Sequence, residues 1–364
     1  MEKTPVSEKD KGYHLVLEMN MKHKLLAVNE NLPCDINIGD YIQALASAQF
    51  IAHKDGWVER ELLKEYRGDP CKVIMNAWYM HNPEKWPPSP HIRPLFVAMH
   101  INSMVRERFL LDDSIAYLKE YEPIGCRDKY TEENLCKKGI KAYFSGCMTL
   151  TLGYKYKTSK CSGKTYIVDP FFKIKKRSFS WKLKAACALL QYPIMTLKIR
   201  EKRNIKCPLS IGQLLDAAWF VKRYSEIFSR DFLLDSEYIS QEGPEFKQKT
   251  MNNDELLWWA EDLVKKYAEA SLVVTSRIHC ALPCTALEVP VIYIEDKNLP
   301  ENSRCRLDGL RELFNIILFD ETKLIPQFAI KGKISKLNYP AIKFDYRPIA
   351  EKLIEKCSAF FSND

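Results

Sequence analysis

Short apolar runs alternate with stretches of helical periodicity along almost the whole chain, and that alternation leaves few architectures open. Strand–helix–strand units build parallel sheets, whose strands are buried on both faces and so read as continuous Val/Ile/Leu-rich runs. Such runs fall at residues 24–28, 72–78, 95–100, 123–126, 164–169, 193–198, 271–276 and 289–294, with helical spacing at 41–51, 114–120, 131–137, 181–190, 211–230, 253–270 and 346–361. The rhythm breaks at 153–164, where Lys, Thr, Ser, Gly and Tyr make a poor core, and this segment reads as a linker. With 364 residues the chain exceeds the ~250–300 at which a single core stops growing. The expected organisation is a polar lead-in over 1–22, an N-terminal α/β domain over 23–152, the linker, a C-terminal α/β domain over 165–345, and a closing helix over 346–364. That helix either packs back on the first domain or simply ends the second. The fold class is α/β, with two Rossmann-like domains facing a central cleft, where small-ligand sites usually form.

Charge and cysteine usage narrow the function classes. A net charge of +8 with 55 Lys and Arg set among 47 acidic residues reads as dispersed. It favours an anionic small ligand or an acidic membrane surface over dedicated nucleic-acid binding. The 12 cysteines show no paired CxxC spacing. Cys280 and Cys284 share a helix face but lack a second pair to complete a zinc site, so reduced, buried thiols and no metal are expected. The first eleven residues are charged and hold no apolar core for a signal peptide, and no apolar run reaches the ~18–20 residues of a spanning helix. A cytoplasmic protein without disulfides is the expectation.

The densest chemistry lies at residues 271–283, where an apolar strand runs into Ser276, Arg277 and His279. The carboxyl end of a strand in an α/β sheet opens into a ligand crevice, and the next helix offers unpaired N–H groups to anions. Arg presents a fork that matches carboxylate or phosphate, and His moves a proton near neutral pH. A surface ion pair and a structural histidine are the bland alternative. The same strand-then-charge design recurs at Gly125, Cys126, Arg127 and Asp128: Arg127 either holds an anion or pairs with a carboxylate, and Asp128 suits a helix cap ahead of Thr131. Asn37, Gly39 and Asp40 follow the first strand and either cap a helix or face a ligand. His100 closes the 95–100 run as an acceptor contact or a structural side chain. The aromatic, Pro-rich segment from Trp78 to Trp86 offers rings that stack on a sugar or pack a loop. Cys147 is a candidate nucleophile with no base beside it in sequence.

Together these blocks resemble the polysaccharide pyruvyl transferases. The resemblance rests on Asn37-Ile-Gly39-Asp40 with Gln43, on Gly125-Cys-Arg127-Asp128 with Thr131 and Leu135, on residues 144–152 around Gly146 and Cys147, and on Leu272-Val-Val-Thr275-Ser276-Arg277-Ile-His279. It extends from about residue 27 to 294. It implies a two-domain fold like the GT-B glycosyltransferases and phosphoenolpyruvate as donor, without a further cofactor or metal. It also implies a product in which pyruvate bridges two hydroxyls of one sugar as a cyclic ketal. Arg277, Ser276, His279 and Arg127 would then serve the donor, with His279 as general acid. Asn37, Asp40, His100 and Trp78 would serve a glycan acceptor, lipid-linked or nucleotide-linked, with the enzyme in peripheral contact with the inner membrane face. Two rivals stay open: a GT-B glycosyltransferase that uses a nucleotide sugar, with Glu288 on a ribose, and an inactive family member that binds glycan or a partner protein.

Overall fold

The computed structural model describes residues 21–28, 36–79, 81–172, 177–203, 210–242, 251–342 and 344–362. The polar lead-in expected at 1–22 lies almost wholly outside them. The chain divides into two compact units, and the division is not colinear with the sequence. Residues 1–33, 43–148 and 349–364 form the first unit; residues 34–42 and 149–348 form the second.

The first unit contains β1 (Lys22–Ala27), most of α1 (Ile38–Ala48), β2 (Gly56–Glu59), β3 (Cys71–Ile74), β4 (Trp78–Tyr79), β5 (Ile92–Leu95), β6 (His100–Ile101), α2 (Asp112–Glu120), β7 (Ile124–Cys126), α3 (Lys129–Lys137) and β8 (Ala142–Phe144). Its main sheet has the order β2-β1-β3-β5, parallel throughout, and β4–β6 and β7–β8 are parallel pairs. The single strand expected over 95–100 is two, β5 and β6. Between them Ala98 takes a φ of 53° and gives its N–H to Ser145 Oγ at 2.9 Å, so the chain leaves the ladder there. Val73, Met75, Trp86, Phe96 and Phe109 are among the side chains at the core.

The second unit runs through β9 (Thr165–Val168), α4 (Phe179–Gln191), α5 (Pro193–Lys202), α6 (Ile211–Ile227), β10 (Glu237–Ile239), α7 (Asn253–Ala268), β11 (Leu272–Thr275), α8 (Ile278–Ala286), β12 (Val291–Asp296), β13 (Asn315–Asp320) and β14 (Lys323–Pro326). The sheet order is β10-β9-β11-β12-β13-β14, parallel except for the antiparallel β14 edge. All four residues of β9 and of β11 are buried, the condition that makes inner parallel strands read as unbroken apolar runs. The 193–198 run is helix, not strand: Pro193 sits in its first turn, where a missing N–H costs nothing and the fixed φ starts the helix. A capping box, Asn252 with Glu255, opens α7, whose Leu256, Ala260, Leu263, Val264 and Tyr267 face the core.

A ladder of stacked rings organises this core. Phe220 and Tyr224 of α6 stack on each other at 3.9 Å, flanked by Phe172 at 4.6 Å from Phe220 and by Phe228 and Phe232 beyond. Such pairs add about 0.5–1.5 kcal/mol each beyond their buried area. The fully buried Arg223 donates to the carbonyls of Phe171 and Phe172 and so fixes the loop after β9. Burial pushes its pKa down to about 10. The final helix, α9 (Arg347–Phe361), has residues 349 onward in the first unit. There Lys72 Nζ donates to the Phe360 carbonyl at 3.1 Å and Cys357 lies against Met148.

Candidate active site

The carboxyl ends of β9 and β11, neighbours in the sheet, open on a cavity of about 580 Å³ that lies within the second unit. That is the position at which parallel α/β sheets bind ligands, and the volume suits a small molecule. Chain leaves β11 at Thr275, whose Oγ1 accepts from the Arg277 N–H at 2.9 Å; Arg277 occupies the N-cap position of α8. His279 stands in the first turn of α8 with a ψ of 17°, so the helix is kinked where it meets the cavity. The His279 side chain is 6% exposed. Arg277, Ser276, His279 and Asn37 all line the cavity.

Arg277 is held from two sides. Its Nε donates to Asp169 Oδ2 at 2.9 Å, and its two terminal nitrogens fork onto Glu242 at 2.8 and 2.7 Å. Burial works against its charge, but the bonds from Glu242 and Asp169 outweigh that and its pKa is raised. Asp169, with a φ of 43°, also accepts from Ser240 Oγ at 2.6 Å and from the Gln241 N–H at 2.8 Å, and its carbonyl accepts from Ser276 Oγ at 2.5 Å. An incoming anion must therefore compete for the guanidinium, and Glu242, 41% exposed, is the side chain free to swing aside. Arg203 lines the same cavity, stacked 3.7 Å from the Phe172 ring centroid. Among the described residues it makes no hydrogen bond or ion pair through its guanidinium. Burial lowers its pKa without removing its charge at neutral pH. Arg306 is a third cation on the wall.

Asn37 reaches this site because the chain before α1 belongs to the second unit. The Ile38 N–H bonds the Gln241 carbonyl at 2.9 Å, and Tyr41 Oη donates to Asn253 Oδ1 at 2.6 Å. Asn37 Oδ1 accepts from the Gly39 N–H at 2.9 Å. Any β-carbon at Gly39 would meet that oxygen at 2.9 Å, Gln241 Oε1 at 3.1 Å and His279 Cβ at 3.2 Å, so glycine is what lets α1 begin against His279. Asp40 is half-buried in the first turn of α1 and is not on the cavity wall.

The remaining candidates, Glu288 aside, lie in the first unit. His100 and Asp128 are wholly buried, with His100 Nδ1 donating to Asp128 Oδ2 at 2.5 Å. Asp128 caps α3 by accepting from the Thr131 N–H and hydroxyl. Burial alone would raise its pKa, yet His100, Arg127 and Thr131 hold it below the usual carboxylate value. Arg127 is 1% exposed, its Nε 3.7 Å from Asp128. Trp78 is half-buried, its ring 6.3 Å from that of His100. Cys147 is fully buried, and none of the ten described cysteines is in a disulfide. Glu288, offered for a ribose, instead pairs with Lys157 at 2.6 Å and is not on the cavity wall. No group of His, Cys, Asp or Glu among the described residues could hold a metal ion, and no described helix is long and apolar enough to cross a membrane.

Sequence reasoning missed Asp169, Arg203, Gln241 and Glu242. Asp169 carried a signal, since it follows a strand as Ser276 does; Arg203 is the C-cap of α5, the helix whose first residues, 193–198, read as a strand. No curated protein and no solved structure matches the chain. The family model for polysaccharide pyruvyl transferase matches residues 37–298, from the asparagine beneath α1 through the whole cavity-bearing strand set up to β12. The chain is a member of the polysaccharide pyruvyl transferase family.

Proposed function

We propose that the protein transfers the pyruvyl group of phosphoenolpyruvate to a sugar of a polysaccharide precursor, forming a cyclic ketal and releasing phosphate. The observation that carries this reading is the convergence of Arg277, Arg203 and His279 on one cavity in a chain of this family. Phosphoenolpyruvate is a small trianion, and cationic forks at a strand-end crevice match its phosphate and carboxylate. His279 protonates the methylene carbon, so positive charge develops at the central carbon. One sugar hydroxyl attacks that carbon, the C–O bond to phosphate breaks, and a second hydroxyl closes the ring. One hydroxyl proton ends on the new methyl group and the other on phosphate. Arg277 and Arg203 balance the charge of the departing phosphate.

In this reading the second unit takes the donor and the first serves the acceptor, a GT-B-like division of labour. Asn37 lines the same cavity and is read here on the donor side; half-buried Trp78 is the first-unit ring assigned to the acceptor. The acceptor is a lipid-linked oligosaccharide at the inner face of the membrane, and the enzyme works from the cytoplasm. Calorimetry with phosphoenolpyruvate and with a panel of nucleotide sugars tests the donor. Binding of phosphoenolpyruvate alone is expected; binding of a sugar nucleotide alone would replace this reading with a glycosyltransferase.

A further inference from the structure

The positive charge of the chain is not dispersed, as its overall composition suggests. Residues 173–206 hold eleven Lys and Arg against one acid, Glu201, a net of +10; the rest of the chain holds 44 basic against 46 acidic residues. This stretch contains α4 and α5, joined through the single residue Tyr192.

Helix α4 carries two apolar stripes. Trp181, Ala185 and Ala188 are buried, and Trp181 and Ala185 pack with Trp219 of α6. Phe179, Leu183 and Leu190 are 83, 60 and 83% exposed. At about 100° per residue these three fall within roughly 40° of one another, on the side of the helix away from Ala185 and Ala188. Exposed Lys182 and Lys184 flank the outer stripe. In α5, Ile194 and Leu197 are 62 and 50% exposed beside Lys198. Arg177 is tied to Asp216, whereas Lys182, Lys184 and Lys198 make no ion pair among the described residues.

A solvent-facing row of large apolar side chains bordered by lysines is the pattern of a helix that lies in a lipid interface, apolar edge in the acyl boundary and ammonium groups among anionic headgroups. We propose that α4 and α5 dock the protein on an anionic lipid surface, with Phe179, Leu183 and Leu190 inserted and Lys182, Lys184 and Lys198 on the headgroups. Charge selects this occupant over a second copy of the chain, because pairing two such faces brings like charge against like charge. The inference stands on these helices and not on the donor chemistry, although a lipid-linked acceptor would give the docking a purpose.

The test is co-sedimentation of the full chain, without substrates, with vesicles of phosphatidylcholine alone or mixed with phosphatidylglycerol. Binding to the anionic vesicles only, weakened by high salt, is expected. Phe179→Ser/Leu183→Ser/Leu190→Ser should lower that binding about tenfold or more, and Lys182→Glu/Lys184→Glu should abolish the preference for anionic lipid. Both variants should keep the parent melting temperature and phosphoenolpyruvate affinity, so failure of docking and failure of the donor reading are separate results. Equal, weak binding to both vesicles would overturn the proposal. So would a parent dimer in sedimentation equilibrium that the triple variant splits into monomers.

Discussion

The two units carry the same sequence signal, a strand followed closely by arginine, and each brings a histidine to it, from two residues away in the second unit and from a separate strand in the first, yet they put it to opposite physical use. In the second unit Arg277 and His279 stand on the wall of a cavity, and the arginine is shared between a fixed carboxylate, Asp169, and an exposed one, Glu242. In the first unit His100 and Asp128 are sealed from solvent, Arg127 is packed beside them, and the carboxylate also caps a helix. An arginine with a movable partner can exchange it for a ligand. A closed ion pair resists exchange because separating it leaves an uncompensated charge in the interior.

The largest effect should fall on catalysis. His279→Asn is expected to cut phosphate release by about 10²–10⁴ while leaving phosphoenolpyruvate affinity within a few-fold, measured by single-turnover assay and calorimetry. Turnover near the parent rate would remove His279 from the acid role and erase the contrast between the units. Next comes stability. Asp128→Ala should cost about 3–5 kcal/mol in urea unfolding, since it leaves His100 and Arg127 buried without their carboxylate and α3 without its cap. A loss of under about 1 kcal/mol would mean the pair is not the structural element described. A smaller change is expected from Glu242→Gln, which frees one side of Arg277. Because Glu242 is 41% exposed, screening limits its hold, and donor affinity should rise by no more than about fivefold. Weaker donor binding would instead make Glu242 the group that orients the arginine. The slightest effect is on acid stability. The Asp128 pKa is depressed below its ordinary 3.8, so its contribution is complete above that value and is lost only as pH falls below it. Asp128→Asn should flatten the stability curve there and leave the pH 5–7 region unchanged in slope.

Much of this was legible in the residues. Parallel sheets followed from unbroken apolar runs, and Arg277, Ser276 and His279 from their place after one of them. What escaped was long-range. Asp169, Arg203, Glu242 and Arg277 are scattered over more than a hundred residues of sequence and meet only because β9 and β11 are neighbours. Asn37 follows the first strand, and nothing local says that the Ile38 N–H will seek the Gln241 carbonyl and bring it beside His279. Pro193 could have been read correctly, since proline in a first turn marks the start of a helix as often as the end of one.

The bond from Lys72 to the carbonyl of Phe360 spans 288 positions of chain. A strand residue with 1% exposure thus depends on a helix that no nearby sequence supplies. In kinetic terms the first unit is a long closed loop, and loop closure of that length is slow to pay back in contacts. The second unit can gather most of its sheet from one continuous stretch, whereas the first waits with an ammonium group and an apolar edge uncovered. Cutting the chain before α9 should therefore injure the unit farthest away in sequence, and it is there, not at the cut, that proteases would find their first openings.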